Sequence, residues 1–132
     1  MDSVVVFFAH ATQADVEAAA TRFGLSGGTV ARGETSFFFW PYEPETQSAE
    51  LEPQDRATLE AALGRAPESA FLVSSRHGEA ARFALQVLGS LMDEFSPSAL
   101  DDDFGHLIPA DEVAAAAKKE PPGGIYLWRE QQ

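Results

Sequence analysis

A short apolar strand followed closely by a long amphipathic helix constrains the fold of this chain more than any other feature. Ala70 to Val73 is an apolar run typical of a strand. Ser75 is expected to cap the helix that follows, and Ser96-Pro97 to end it. Apolar residues recur along that helix for about five turns at Ala80, Ala84, Val87, Leu88, Leu91 and Phe95. The chain must therefore bury one long helical stripe against a sheet.

The segments before this unit alternate between strand and helix patterns. Val4 to Ala9 is continuous and β-rich, which is typical of a strand buried on both faces. Thr12 with Asp15 forms a variant of the capping box, so a helix is expected there. The predicted elements are, in order, a strand at 4–9, a helix from 12 to 24, strands at 29–31 and 35–40, a helix at 53–64 and a strand at 70–73.

This order of elements predicts the fold class. Strand, helix, strand, strand, helix, strand is the order of a ferredoxin-like βαββαβ core. We therefore expect an α+β fold with an antiparallel sheet in a single domain, residues 1–132. The long helix is an addition to that core, and a helix at 111–119 with a strand at 125–128 extends the C-terminus.

Four consecutive aromatic residues, Phe37 to Trp40, need both faces of their strand covered, unless one face binds something. A core position is expected for Trp40, and Pro41 is expected to stop the ladder because it has no amide donor. Tyr42, beside the acidic segment that follows, is the predicted anchor for a partner.

The composition restricts the possible partners. Nine Lys and Arg against 21 Asp and Glu give a net charge of −12, which repels nucleic acids and anionic membranes and attracts a basic partner. The absence of Cys excludes disulfides and thiolate metal sites. No apolar run is long enough for a signal segment or a membrane span, so a soluble cytoplasmic protein is expected.

The acidic residues concentrate in two segments. One holds Glu43, Glu45, Glu50, Glu52, Asp55 and Glu60, and the other holds Asp93, Glu94, Asp101, Asp102 and Asp103. This grouping favours an acidic surface that binds a partner. The alternative is that the acidic residues serve only to keep the protein soluble.

Two groups of residues could carry chemistry, and neither has the required pattern. Asp101 to Asp103 with His106 offer oxygen and imidazole ligands, but their spacing fits no calcium or zinc signature. Ser74 to His77 could bind an anion or supply a nucleophile, yet the glycine-flanked serine of a nucleophile elbow is absent. We therefore expect no catalytic residue, no metal and no cofactor.

An Ala-rich amphipathic helix followed by Asp102-Asp103-Phe104-Gly105 resembles small acidic bacterial immunity proteins of polymorphic toxin systems, of the contact-dependent or type VI secretion kind. The resemblance covers about Phe71 to Val113. It implies a protein that binds and inhibits a cognate toxin, often a nuclease or another basic enzyme, without catalysis of its own.

Inhibition would then place acidic side chains in the basic substrate cleft of the toxin. The predicted contact residues are Tyr42, Glu43, Glu45, Glu50, Glu52, Asp101, Asp102 and Asp103. Two alternatives stay open. One is an enzymatic or small-molecule-binding ferredoxin-like domain with a pocket between the sheet and the long helix, and the other is an oligomeric module that pairs through a sheet edge.

Overall fold

The computed structural model describes residues 2–43, 53–102, 106–119 and 125. The strands are β1 (Asp2–Phe8), β2 (Leu25–Ser26), β3 (Thr29–Arg32), β4 (Thr35–Tyr42), β5 (Ser69–Ser75), β6 (Ser98–Asp101) and β7 (Leu107–Ile108). The helices are α1 (Gln13–Thr21), α2 (Pro53–Leu63), α3 (Glu79–Glu94) and α4 (Ala110–Ala116).

The strands form one antiparallel sheet in the order β2-β3-β4-β5-β1-β6-β7. β1 lies inside the sheet, where Val5 is opposite Leu72 on β5 and opposite Asp101 on β6. The predicted α+β class, the antiparallel sheet and the additional long helix are confirmed. The ferredoxin-like βαββαβ core is not confirmed, because the sheet has seven strands within the described residues and includes β6 and β7, where the sequence predicts no strand.

Helices cover the two faces of the sheet unequally. Alternate residues of a strand point to opposite faces, so Val4, Val6 and Phe8 join the main core with α1, α3 and α4. On the other face, Phe7 packs with Leu59 and Leu63 of α2 in a smaller core. β1 is therefore buried on both faces, as its continuous apolar run predicts.

The start of α1 follows from the sequence. The Thr12 hydroxyl accepts the Asp15 backbone N–H at 3.1 Å, and the Asp15 carboxylate accepts the Thr12 N–H at 3.2 Å. Two N–H groups that a helix leaves without partners are satisfied in this way, and the predicted capping box is confirmed.

The predicted cap of α3 is wrong. β5 continues through Ser75, which pairs with Asp2, and α3 begins only at Glu79. Gly78 occupies the cap position with a φ of 84°, and no side chain caps this helix. A positive φ favours glycine, so Gly78 makes the turn from strand to helix that Ser75 does not.

β4 continues past Pro41, contrary to the prediction. The Phe39 N–H donates to the Gly28 carbonyl at 2.8 Å. Backbone N–H groups of residues two apart point to the same neighbouring strand, so the nitrogen of Pro41 also faces the β3 side. Among the described residues, β3 pairs with β4 only from Thr35 to Phe38. The N–H that Pro41 lacks therefore leaves no hydrogen bond between β3 and β4 unformed. On the other side, pairing with β5 extends to Tyr42.

The C-terminal elements are only partly described. α4 covers Ala110–Ala116, a shorter helix than the predicted 111–119. The predicted strand at 125–128 lies outside the described residues except for Ile125, which is buried in the main core.

Candidate functional site

Two aromatic side chains of β4 are exposed on the side of the sheet opposite α3. Phe37 and Phe39 are buried against the helices, whereas Phe38 is 40% and Trp40 49% exposed. Residues two apart on a strand share a face, and these two lie roughly 7 Å apart along it. Phe38 and Trp40 are the exposed large hydrophobic residues within the described ranges.

α2 covers only one end of this face. Leu59 and Leu63 pack over Phe7, Ala70 and Ala99. Leu72 and Tyr42 contact the margin of that cluster, and the described residues place Phe38 and Trp40 in neither core. The expected core position of Trp40 is therefore wrong. We call the uncovered region the open sheet face; it comprises Thr29, Ser36, Phe38, Trp40 and Ser74.

The backbone of Gly28 supports the indole of Trp40. A Cβ built on Gly28 would lie 3.1 Å from three carbons of the Trp40 ring. Gly28 also has a φ of 80° and accepts the Phe39 N–H, so the turn is fixed next to the ring. One part of the indole is packed while about half of the residue stays exposed.

The predicted acidic surface is only partly described. Tyr42 is partly buried beside α2, and Glu43 is exposed directly after β4. Glu45, Glu50, Glu52 and Asp103 lie outside the described residues. Asp101 and Asp102 are 9% and 0% exposed, so the expectation that they present an acidic surface is wrong.

Asp102 instead binds the backbone of His106, the residue directly before β7. Its Oδ1 accepts the His106 backbone N–H at 3.2 Å, and its own N–H donates to the His106 carbonyl at 3.2 Å. The other carboxylate oxygen, Oδ2, lies 3.3 Å from His106 Nδ1. This buried carboxylate is committed to His106, and the acidic run misled the prediction because its first residue, Asp101, is the last residue of β6.

A polar cleft lies between the sheet and the N-terminal end of α3. It has a volume of about 460 Å³ and is lined by residues that include Ser36, Phe38, Ser75, Arg76, His77 and Glu79. The buried Ser75 hydroxyl has no hydrogen-bond partner among the described residues. His77 Nε2 lies 2.6 Å from Asp2 Oδ2, so its ring pairs with an acid.

Within the described ranges, no three His, Asp or Glu side chains are grouped so that they could hold a metal ion. None of the described helices combines the length and apolar character needed to cross a membrane. Comparisons with protein-family models, curated protein sequences and solved structures gave no match.

Proposed function

We propose that this protein is a non-enzymatic binding protein that recognises a protein partner through the open sheet face. The observation that carries the proposal is the exposure of Phe38 and Trp40, side by side, on a face that α2 covers only at one end. Exposed aromatic side chains at a rigid position are frequent anchors of protein interfaces, and Trp is enriched among the residues that dominate their energy.

The charge of the chain supports a basic partner. A net charge of −12 favours encounter with a positively charged protein and opposes binding to nucleic acid. Glu43 is exposed directly after the strand that carries Phe38 and Trp40. The predicted contacts Tyr42, Glu45, Glu50, Glu52 and Asp103 are retained in the proposal as contacts of the partner.

The type of partner follows from the resemblance to immunity proteins. We propose that the partner is a toxin or another basic enzyme, and that binding in the cytoplasm inhibits it by covering its substrate cleft. The open sheet face would supply desolvated aromatic contacts, and the exposed carboxylates would increase the association rate.

Co-purification tests this function. If a neighbouring reading frame encodes a basic domain, the protein is produced together with that domain, and the dissociation constant of the complex is measured. Replacement of Phe38 and Trp40 by Ala should weaken binding at least about tenfold, because interface aromatics commonly contribute over 1 kcal/mol each. The matched control is a double variant with Ala at Gln86 and Ser90. These are exposed residues of α3, which lies on the other face of the sheet. If both double variants bound the partner with the same affinity, the open sheet face would be excluded as the binding site.

A small-molecule-binding function is the second candidate, and the polar cleft beside α3 favours it. The cleft lies between the sheet and the long helix, and its buried Ser75 hydroxyl has no partner among the described residues. Arg76 and the uncapped start of α3 favour an anionic group on such a ligand. Glu34 and Glu79 also line the cleft and oppose one.

Nuclear magnetic resonance distinguishes the two candidates. Inorganic phosphate and acetate are added separately, and the backbone amides from Ser75 to Ala80 are followed. Saturable shifts that disappear in Arg76→Gln, but persist in Arg65→Gln on the far side of the molecule, would support the ligand site. Unchanged spectra would leave partner binding as the function.

A further inference from the structure

A second cleft opens beside Trp40 at the end of the sheet, where β2, the turn after it and the end of β4 meet α1. It has a volume of about 450 Å³, and we call it the Trp40 cleft. Its lining includes Glu17, Thr21, Ser26, Gly28, Phe39 and Trp40. The cleft therefore combines two aromatic residues with one carboxylate and two hydroxyl groups.

The described residues that line the Trp40 cleft carry negative charge and no positive charge. Glu17 is the ionisable residue among the described lining residues, and no Lys, Arg or His is present among them. The structure gives the Glu17 carboxylate no ion pair within the described ranges, although its backbone carbonyl accepts the Thr21 hydroxyl at 2.9 Å. A carboxylate without a cation attracts a positively charged group, and the net charge of −12 adds to that attraction.

The indole of Trp40 contributes a second attraction for a cation. The face of an indole ring carries negative electrostatic potential, and Trp is the best of the aromatic residues at binding cations. Gly28 leaves no free space for a Cβ on one side of this ring, while about half of Trp40 remains exposed. The ring is thus ordered before a ligand arrives, which lowers the entropy lost on binding.

We infer that the Trp40 cleft takes a cationic side chain of a protein partner, with a guanidinium preferred over an ammonium. An arginine side chain matches both attractions, because its planar group stacks on an aromatic ring and also donates hydrogen bonds to a carboxylate. The Glu17 carboxylate would accept those bonds, and the indole of Trp40 would stack on the guanidinium. This inference rests on the proposed function and adds the chemical identity of one anchor residue of the partner.

The experiment uses small probes, so it does not depend on a captured partner. N-acetyl-arginine amide, N-acetyl-lysine amide and the uncharged N-acetyl-citrulline amide are titrated separately into the isotope-labelled protein. The Trp40 indole N–H and the amides of Glu17 and Gly28 are followed, with the indole signal assigned from the Trp40→Phe variant. The arginine probe should bind with an affinity in the millimolar range, the lysine probe more weakly, and the citrulline probe not at all.

Glu17→Gln tests the carboxylate without removing the ring. The affinity for the arginine probe should fall by about threefold to fivefold, as expected for the loss of one partly exposed ion pair. Glu60→Gln, at an exposed position of α2, removes the same charge outside the cleft and should leave the affinity unchanged. An equal loss in both variants would mean that only the overall charge matters, and the inference would be overturned.

The outcomes separate this inference from the proposed function. If the partner binds through Phe38 and Trp40 but no arginine probe shifts the cleft residues, the inference fails and the proposed function stands. If the arginine probe binds in the cleft but no partner depends on the open sheet face, the cation site stands and the proposed function fails. Equal binding of the arginine and citrulline probes also overturns the inference, because it removes the role of charge.

Discussion

Gly28 packs against the indole of Trp40 so closely that a side chain at position 28 would force the ring to shift. The Cβ of an Ala at position 28 would lie 3.1 Å from three ring carbons. The φ of 80° at Gly28 is also unfavourable for Ala.

Gly28→Ala should therefore lower the free energy of unfolding by about 2 kcal/mol, which urea denaturation can measure. Gly27→Ala is the matched control, since Gly27 also has a positive φ, 58°, but a Cβ at this position would meet nothing within 4 Å. We expect it to cost only about 1 kcal/mol. Equal costs would show that the contact with Trp40 contributes nothing.

Phe37 and Phe38 offer a direct comparison of the two faces of β4. Phe37 is 2% exposed and its ring lies edge-on to Phe83 with centroids 5.4 Å apart, whereas Phe38 is 40% exposed. Phe37→Ala should cost about 4 kcal/mol in unfolding free energy, because it leaves a cavity in the main core. Phe38→Ala should cost less than about 1 kcal/mol. A large cost at Phe38 would mean that its face is covered in the folded protein.

Asp102 is predicted to matter for stability rather than for recognition. Asp102→Ala removes the acceptor of the His106 N–H from a buried position, so it should cost about 2 kcal/mol and speed hydrogen exchange at that amide. Asp93→Ala, at an exposed position on α3, should change stability by less than about 0.5 kcal/mol. If Asp102→Ala were as stable as the native protein yet bound its partner more weakly, Asp102 would be a contact residue after all.

Gly89 allows α4 to approach α3 closely. A Cβ at Gly89 would lie 3.2 Å from the Ala114 Cα, which is backbone and cannot rotate away. Gly89→Val should therefore destabilise the fold by about 2 kcal/mol and increase hydrogen exchange in α4. Ser90→Val places the same β-branched side chain at the neighbouring exposed position and should cost only about 0.5 kcal/mol. Similar costs would show that α4 adjusts to the larger residue.

Local signals in the sequence predicted local structure well. The capping box of Thr12 and Asp15 and the stripe of α3 both depend on residues three or four apart, and both are confirmed. The predicted start of α3 at Ser75 is wrong. A serine that precedes a helix pattern can be either the cap of the helix or the last residue of the strand before it. Only pairing with Asp2, far away in the chain, decides between them.

The candidate site could be predicted only in part, because exposure on a sheet depends on where distant elements lie. The aromatic run 37–40 indicated two apolar faces, and one of them was expected either to be covered or to bind something. Which side chains stay open is decided by α2, whose Leu59 and Leu63 cover Phe7 instead of Phe38. Likewise, the acidic run suggested an exposed carboxylate at Asp102, whereas this side chain is buried and accepts the backbone N–H of His106.

The inner position of β1 has a consequence for how the chain reaches its folded state. Ser3 and Ser74 share a 2.6 Å hydrogen bond across 71 positions, and the other neighbour of β1 is β6, still later in the chain. Pairing at such separation forms slowly. Until it forms, the uncharged, strongly β-prone segment Val4 to Ala9 has neither neighbour and is open to pairing with other chains. Conditions that slow folding should therefore cause aggregation through this segment first. A charged residue within the segment would suppress aggregation, but it would also prevent β1 from packing inside the sheet.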